Sequence, residues 1–375
     1  MKYGTKLRDL SIVGLTDIVN SALSAVFWFY LASLINPNEY GRLSYYLSIG
    51  NIASTIALFG APNMLVVYTA KRIPIRATIN FMATVTGITS AIIVYIIYND
   101  IGISLIVIGN IIFNLINSDI LAKRSFSRYM KYSITQKVLW VGVSLVFLKL
   151  IGESSIILGM ASSFFIYIKE FLYGIRETKI DFKILKDKIK FLRENYIQTL
   201  VSTASSSIDR VIIVPIFGYA VLGNYALGWQ FFNLLLLLPS IVSKYLLPHD
   251  SSGIPNKKLR MMTIIIAITI SIIGWLVGPL VVSKLFPKFS AINELIKIFS
   301  LALVPSVISL LNYTKFLGTE NTKKVLINSL IWTGVYISGI IPLGKIFGPI
   351  GFAYALVIAA ISSCIYTTLA DRYSK

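Results

Sequence analysis

The chain has 375 residues, 56% hydrophobic and only 14% charged, with a net charge of +19, one histidine and one cysteine. A water-soluble domain carries about 25% charged residues, so an ordinary globular protein is excluded. The cysteine and histidine counts exclude an internal disulfide and a multi-histidine or thiol metal site, and no metal or cofactor is expected.

Apolar runs of about 20 residues, long enough to cross a bilayer as a helix, recur along the whole chain. Read against Gly and Pro breakers, they predict twelve spans: 10–35, 43–70, 78–98, 101–121, 133–149, 154–174, 196–217, 221–247, 261–285, 292–314, 325–344 and 349–370. The expected fold class is an all-α polytopic membrane protein. The first run follows a basic start, MKYGTKLRDL, and contains Asp17. It is too long and too polar for a cleaved signal peptide and reads as a retained span.

The basic residues set the expected orientation. Twenty-eight of the 35 fall in alternate connections: the N-terminus, 71–77, 122–137, 169–195, 244–260, 315–324 and the C-terminus. The positive-inside rule puts that side, with both termini, in the cytoplasm of a cell membrane. Charge placed between apolar runs points to membrane lipids as partners and away from nucleic acid. The longest connection, ETKIDFKILKDKIKFLREN (177–195), carries Phe182, Leu185, Ile189 and Leu192 at helical spacing with lysines opposite. It predicts an amphipathic helix on the cytoplasmic surface. It divides the chain into residues 1–175, with six spans, and 196–375, with six more. NEYGRLSYY (38–46) and AVLGNYALG (220–228) occupy matching turns in the two halves, with Gly41 and Gly223 in corresponding places. Parallel repeats of this kind place a transport path between lobes.

Several spans carry a polar stripe at helical spacing. Asp17, Asn20, Ser21 and Ser24 lie on the first, and Ser44, Ser48, Asn51 and Thr55 on the second. Asn110, Asn114 and Asn117 lie on the fourth, and Thr199, Ser202, Ser206 and Asp209 on the seventh. Gln230 and Asn233 lie on the eighth, and Ser309 and Asn312 on the tenth. One such stripe is ordinary packing between helices; many, from both halves, point to a hydrated cavity. Charges at bilayer depth sharpen this, because each costs roughly 2.5–3.5 kcal/mol on insertion scales and needs a cavity or a partner. Asp209 and Arg210 are adjacent, so on a helix they point about 100° apart. Arg210 is either half of an ion pair between helices, with Asp17 as one partner, or a bidentate contact for a phosphate. Glu294 and Lys297 lie near a span end, where lysine can reach the interface, and His249 is expected at an interface. No phosphate loop, metal pair or nucleophile motif occurs, so the chain is read as a non-enzyme.

Two stretches carry a family resemblance. LASLINPNEYGRLSYYLSIGNIASTIALFG (31–60) resembles the first external turn and second helix of Wzx-type polysaccharide and O-antigen flippases, of the multidrug/oligosaccharidyl-lipid/polysaccharide (MOP) superfamily. SSSIDRVIIVPIFGYAVLGNYALGWQ (205–230) resembles their seventh span and the turn after it. The resemblance implies a MATE-like pair of six-helix bundles in a V around a cavity. It also implies translocation of a polyprenyl-diphosphate-linked oligosaccharide by alternating access. In that frame Arg210 would meet the diphosphate. Lys71, Arg72, Lys123 and Arg124 would line the cytoplasmic rim. Asp209, Asp17, Asn20, Ser24, Asn51, Asn114, Asn117, Ser202, Ser206, Gln230 and Asn233 would line the cavity. The first half departs from the pattern: it offers Asp17 where a deep arginine is expected. Two alternatives stand beside this reading. One is an antiporter of the multidrug type, with H+ or Na+ coupled through Asp17 and Asp209. The other is a non-transporting scaffold of a glycan synthase.

Overall fold

A computed structural model describes residues 2–176, 180–186, 188–251 and 256–372. Among these residues the regular structure is all helical. The first half contains α1 (Lys2–Leu34), α2 (Pro37–Leu58), α3 (Ala61–Ala70), α4 (Arg76–Tyr98), α5 (Ile101–Ala122), α6 (Phe126–Leu150), α7 (Ile156–Ser162) and α8 (Ile168–Arg176). A short α9 (Phe182–Lys186) follows. The remainder is α10 (Ile189–Phe217), α11 (Tyr219–Ser251), α12 (Lys257–Leu276), α13 (Gly278–Leu285), α14 (Ile292–Gly318), α15 (Thr322–Phe347) and α16 (Pro349–Arg372). Eleven stretches are long and apolar enough to cross a membrane, and α2 with α3, as one broken span, makes the twelfth. The protein is a multi-pass membrane protein.

Local chemistry explains the breaks. The second predicted span bends by 49° between α2 and α3. Phe59 and Gly60 there have φ of 48° and 77°, and Pro62 opens α3. Proline in a first turn gives up only an N–H that has no helical partner. Pro279 does the same at the start of α13, so the ninth span runs as two helices. The sixth is interrupted by 3₁₀ turns at Glu153–Ser155 and Ser163–Tyr167.

Two expectations need correction. The fifth span begins at Phe126, not residue 133, because FSRYMKY continues the helix and packs aromatic rings inward. Among those rings, Tyr132 lies 5.7 Å from Tyr167. The 177–195 connection is not one surface helix. Residues 177–179 and 187 lie outside the described residues, α9 is five residues long, and from Ile189 the chain is already α10. Leu185 is buried, and with Leu192 it caps a small apolar hollow lined by Ala57, Leu58, Ile79 and Ala83. Of the predicted apolar face, Leu185 is buried against neighbouring helices, while Phe182 and Ile189 are exposed.

The chain folds into two compact units that are not continuous in sequence. One holds residues 1–27 and 45–211, the other 28–44 and 212–375. These cuts differ from those of the six-plus-six division. The core of the first unit includes Met64, Leu65, Ile75, Ile103, Val107, Leu115 and Tyr167. In the second, Tyr225 packs against Phe299 at 6.1 Å and Phe352 at 5.6 Å, and Trp229 against Tyr336 at 6.2 Å. Burial repeats with a period of six spans. The fourth and tenth spans, α5 and α14, are each 56% buried, while the third and ninth, α4 and α12, are 22% and 17% buried. Leu150, Ile96 and Ile346, all 70% exposed or more, belong to the outward faces that lipid solvates.

The matched glycines touch within the second unit. A Cβ on Gly41 would lie 1.9 Å from the Tyr219 carbonyl oxygen, and one on Gly223 would lie 1.9 Å from that of Pro37. The starts of α2 and α11 therefore approach backbone to backbone, which only a residue without a side chain permits.

Candidate polar cavity in the membrane span

The sharpest polar constellation joins α2 to α10 within the first unit. Residues 203, 207 and 210 of α10 share a face at i, i+4 and i+7, and each meets α2. Thr203 and Thr55 hydroxyls lie 3.2 Å apart, Asn51 donates to Ser207 at 3.0 Å, and Arg210 Nη1 donates to Ser48 Oγ at 3.4 Å. The same Nη1 reaches the Ser206 carbonyl oxygen at 3.4 Å. Arg210 therefore turns toward α2, and the Asp17 ion pair considered from the sequence is not among its bonds. Neutral oxygens hold the guanidinium without neutralising it. Arg210 lies seven residues before the end of α10, roughly 10 Å at 1.5 Å per residue. Around it Asn51, Ser202 and Ser206 are exposed, while Asp209 is only 2% exposed.

A second polar seam joins α1 to α6. Asp17 lies against Tyr129, Asn20 donates to Ser133 at 3.0 Å, and Phe27 packs edge-on against Trp140 at 4.6 Å. Ser24 bonds back to the Asn20 carbonyl at 2.8 Å. Ser133, Lys137 and Trp140 follow at i, i+4 and i+7, so Lys137 shares this seam, its Nζ 4.5 Å from the Trp140 ring centre. No carboxylate pairs with Lys137 among the described residues.

Lys137 belongs both to the predicted 133–149 span and to the basic 122–137 connection, and the structure places it within the helix. It lies eleven residues into α6, roughly 16 Å along a helix roughly 37 Å long. The first half does carry a deep cation, a lysine where an arginine was sought. The overlooked signal was the aromatic stretch from Phe126 to Tyr132.

The remaining expected residues are scattered. Asn114 bonds back to the Asn110 carbonyl at 2.8 Å, and Asn117 is buried beside Tyr167. Gln230 is half-buried and Asn233 exposed on α11 of the second unit. Ser309 is spent on packing, bonded to Ser363, which donates to Asn328 at 2.7 Å. At the rim, Lys71, Arg72 and Arg124 are exposed. Lys123 is tied to Asp119 at 3.1 Å.

That aspartate is the second omission. Asp119 lies inside an apolar run, 3% exposed, and also receives Arg76, 6% exposed, at 2.9 Å. The second unit has a similar pair: Arg260, like Arg76 in the first turn of the third span of its half, binds Asp250 and donates to the Leu311 carbonyl at 2.7 Å. The i,i+4 spacing of Asp119 and Lys123 was the available signal.

Comparison with known proteins fixes the architecture. No family model and no curated protein sequence matches the chain. Solved structures do. A multidrug resistance MATE family transporter of the MOP superfamily, in an inward-facing conformation, aligns with a TM-score of 0.69 over 95% of this chain and 94% of its own, at 14% identity. The lipid II flippase MurJ aligns at 0.62 over 98% and 81%, at 16% identity. A MOP superfamily transporter from Pyrococcus furiosus, described as having a binding pocket of reverse polarity, aligns at 0.62 over 97% and 95%, at 13% identity. The fold is that of the MOP transporters. These neighbours include a multidrug transporter and a lipid-linked flippase, so the fold alone leaves the substrate to the residues of the site.

Proposed function

We propose that the chain is a flippase. It would move a polyprenyl-diphosphate-linked oligosaccharide across the cytoplasmic membrane by alternating access, in the assembly of a surface glycan. Both termini would be cytoplasmic, with residues 1–175 and 196–375 forming the two lobes and 176–195 the connection. The observation that carries this is Arg210. Its guanidinium lies inside a span, held by the neutral oxygens of Ser48 and Ser206. A charge kept at that depth without neutralisation favours an anionic substrate, and a guanidinium matches phosphate oxygens two at a time. Lys137, on the α1–α6 seam, adds a second cation of the same kind. Asn20, Asn51, Ser202 and Ser206 offer hydrogen bonds of the type sugar hydroxyls take.

The test is transport in liposomes with a labelled lipid-linked sugar. Arg210→Ala is expected to reduce translocation by at least about tenfold, the value of one charge-assisted contact. Arg210→Lys should retain part of it. Wild-type rates in Arg210→Ala would remove Arg210 from the mechanism, and no translocation by the wild type would leave the scaffold reading.

A cation-coupled antiporter is the second reading, favoured by Asp17 beside Tyr129. In that case Asp17→Asn should abolish gradient-driven export of amphipathic cations. Unchanged export would exclude the coupling role.

A further inference from the structure

We propose that the start of α6, with the facing end of α1, forms a binding site for the phosphate or diphosphate headgroup of a lipid. A cavity of about 590 Å³ opens there, lined by Ile12 of α1 and by Arg124, Ser125, Ser127, Arg128 and Lys131. It falls in the size range of ligand pockets, about 300–1,000 Å³. Three cationic side chains and two hydroxyls converge on it.

Among the described residues the charges are not fully cancelled locally. Glu170 pairs with Arg128 and accepts the Tyr132 hydroxyl at 3.3 Å. Arg128 is occupied further by the Tyr132 ring, 5.5 Å away. Arg124 and Lys131 remain exposed. Arg124 is held there by the backbone: at φ 55° its N–H bonds the Leu121 carbonyl at 2.9 Å, and the Ser125 N–H bonds that of Ile120 at 3.1 Å. This turn ends α5 and starts α6 with no acidic residue in its first turn and no side-chain cap from Ser125. The partial positive charge of that helix start adds to the three side chains.

The chemistry selects the ligand. Guanidinium, ammonium, hydroxyl and amide donors together suit a tetrahedral oxyanion of more than one charge. Ile12 and Phe126, at the end of two membrane-crossing helices, supply an apolar wall for the chain attached to it. Tyr129, Ser133 and Lys137 of the polar seam follow on an adjacent face of the same helix. A diphosphate substrate as occupant rests on the flippase reading; a membrane phospholipid does not.

Full-length protein in neutral detergent is titrated by native mass spectrometry with farnesyl diphosphate, phosphatidylglycerol and phosphatidylcholine. The variants are Lys131→Gln alone and Arg124→Gln/Lys131→Gln. The double variant is expected to lose more than about tenfold in affinity for an anionic probe, with phosphatidylcholine unchanged. The exposed Lys131→Gln change should show part of that loss in a protein that elutes normally. Loss confined to farnesyl diphosphate identifies an entry site for substrate. Loss confined to phosphatidylglycerol identifies a lipid site. Loss of both supports the shared phosphate chemistry. Wild-type affinity for both in the double variant overturns the site. A wild-type protein that binds farnesyl diphosphate here but translocates no lipid-linked sugar leaves the site standing and sinks the flippase.

Discussion

Asp119 is the most consequential single residue absent from the sequence reading, its i,i+4 spacing to Lys123 notwithstanding. Arg76 and Lys123 converge on it, and the Arg76 pair is almost wholly buried. Breaking one partner of such a pair leaves an uncompensated charge, at about 3–5 kcal/mol. Asp119→Asn is therefore expected to lower the thermal midpoint, followed by size exclusion after heating, far more than Arg76→Met/Asp119→Leu, which removes both charges. Equal losses in the two variants would refute the charge explanation. Glu320 tests backbone strain instead. It sits at φ 57°, its N–H bonds the Leu317 carbonyl at 3.1 Å and the following N–H bonds that of Phe316 at 2.8 Å. That left-handed position costs a non-glycine residue about 1–2 kcal/mol. Glu320→Gly should raise the midpoint and Glu320→Val lower it.

At the scale of elements, the polar stripes resolve into ladders. The sequence showed Ser48, Asn51 and Thr55 on one span and Ser202 and Ser206 on another, but not that they meet. The meeting face is 203–207–210, one step round the helix from the predicted 202–206–209 stripe. A helix presents both faces to the sequence reader equally; only the neighbour decides which is used. The glycines behave differently. Gly41 and Gly223 were legible as counterparts from their matching turns, yet their mutual contact was not. A methyl group at either position meets backbone oxygen, and overpacking of this kind costs about 1–3 kcal/mol. Gly223→Ala should depress the thermal midpoint by several degrees, and a midpoint equal to wild type would mean that α2 and α11 do not approach this closely.

For the whole molecule, hydropathy and charge alternation carried almost everything about span number. Orientation remains open to direct measurement, and the lone cysteine simplifies it. In a Cys364→Ala background, Asn36→Cys should react with an impermeant maleimide in intact cells. Ser127→Cys should react only after the membrane is opened. The reverse pattern would invert the proposed topology and move the α6 phosphate site to the outer face.

Composition and periodicity alone determined the all-helical membrane class, the twelve spans and the polar faces within them. They could do so because the bilayer imposes one length and one hydrogen-bonding solution on every crossing segment. Gly60 and Pro279 break their spans while Pro215, Pro305 and Pro342 lie inside continuous helices, a difference that residue type alone does not reveal. Tertiary structure decided the rest. It turned Arg210 toward Ser48, set Lys137 on the α1–α6 seam, joined Arg76 to Asp119 across 43 positions of sequence and gathered Arg124, Arg128 and Lys131 around one cavity. Each depends on which helix lies alongside which. That is set by packing between segments of similar composition, which no single segment encodes.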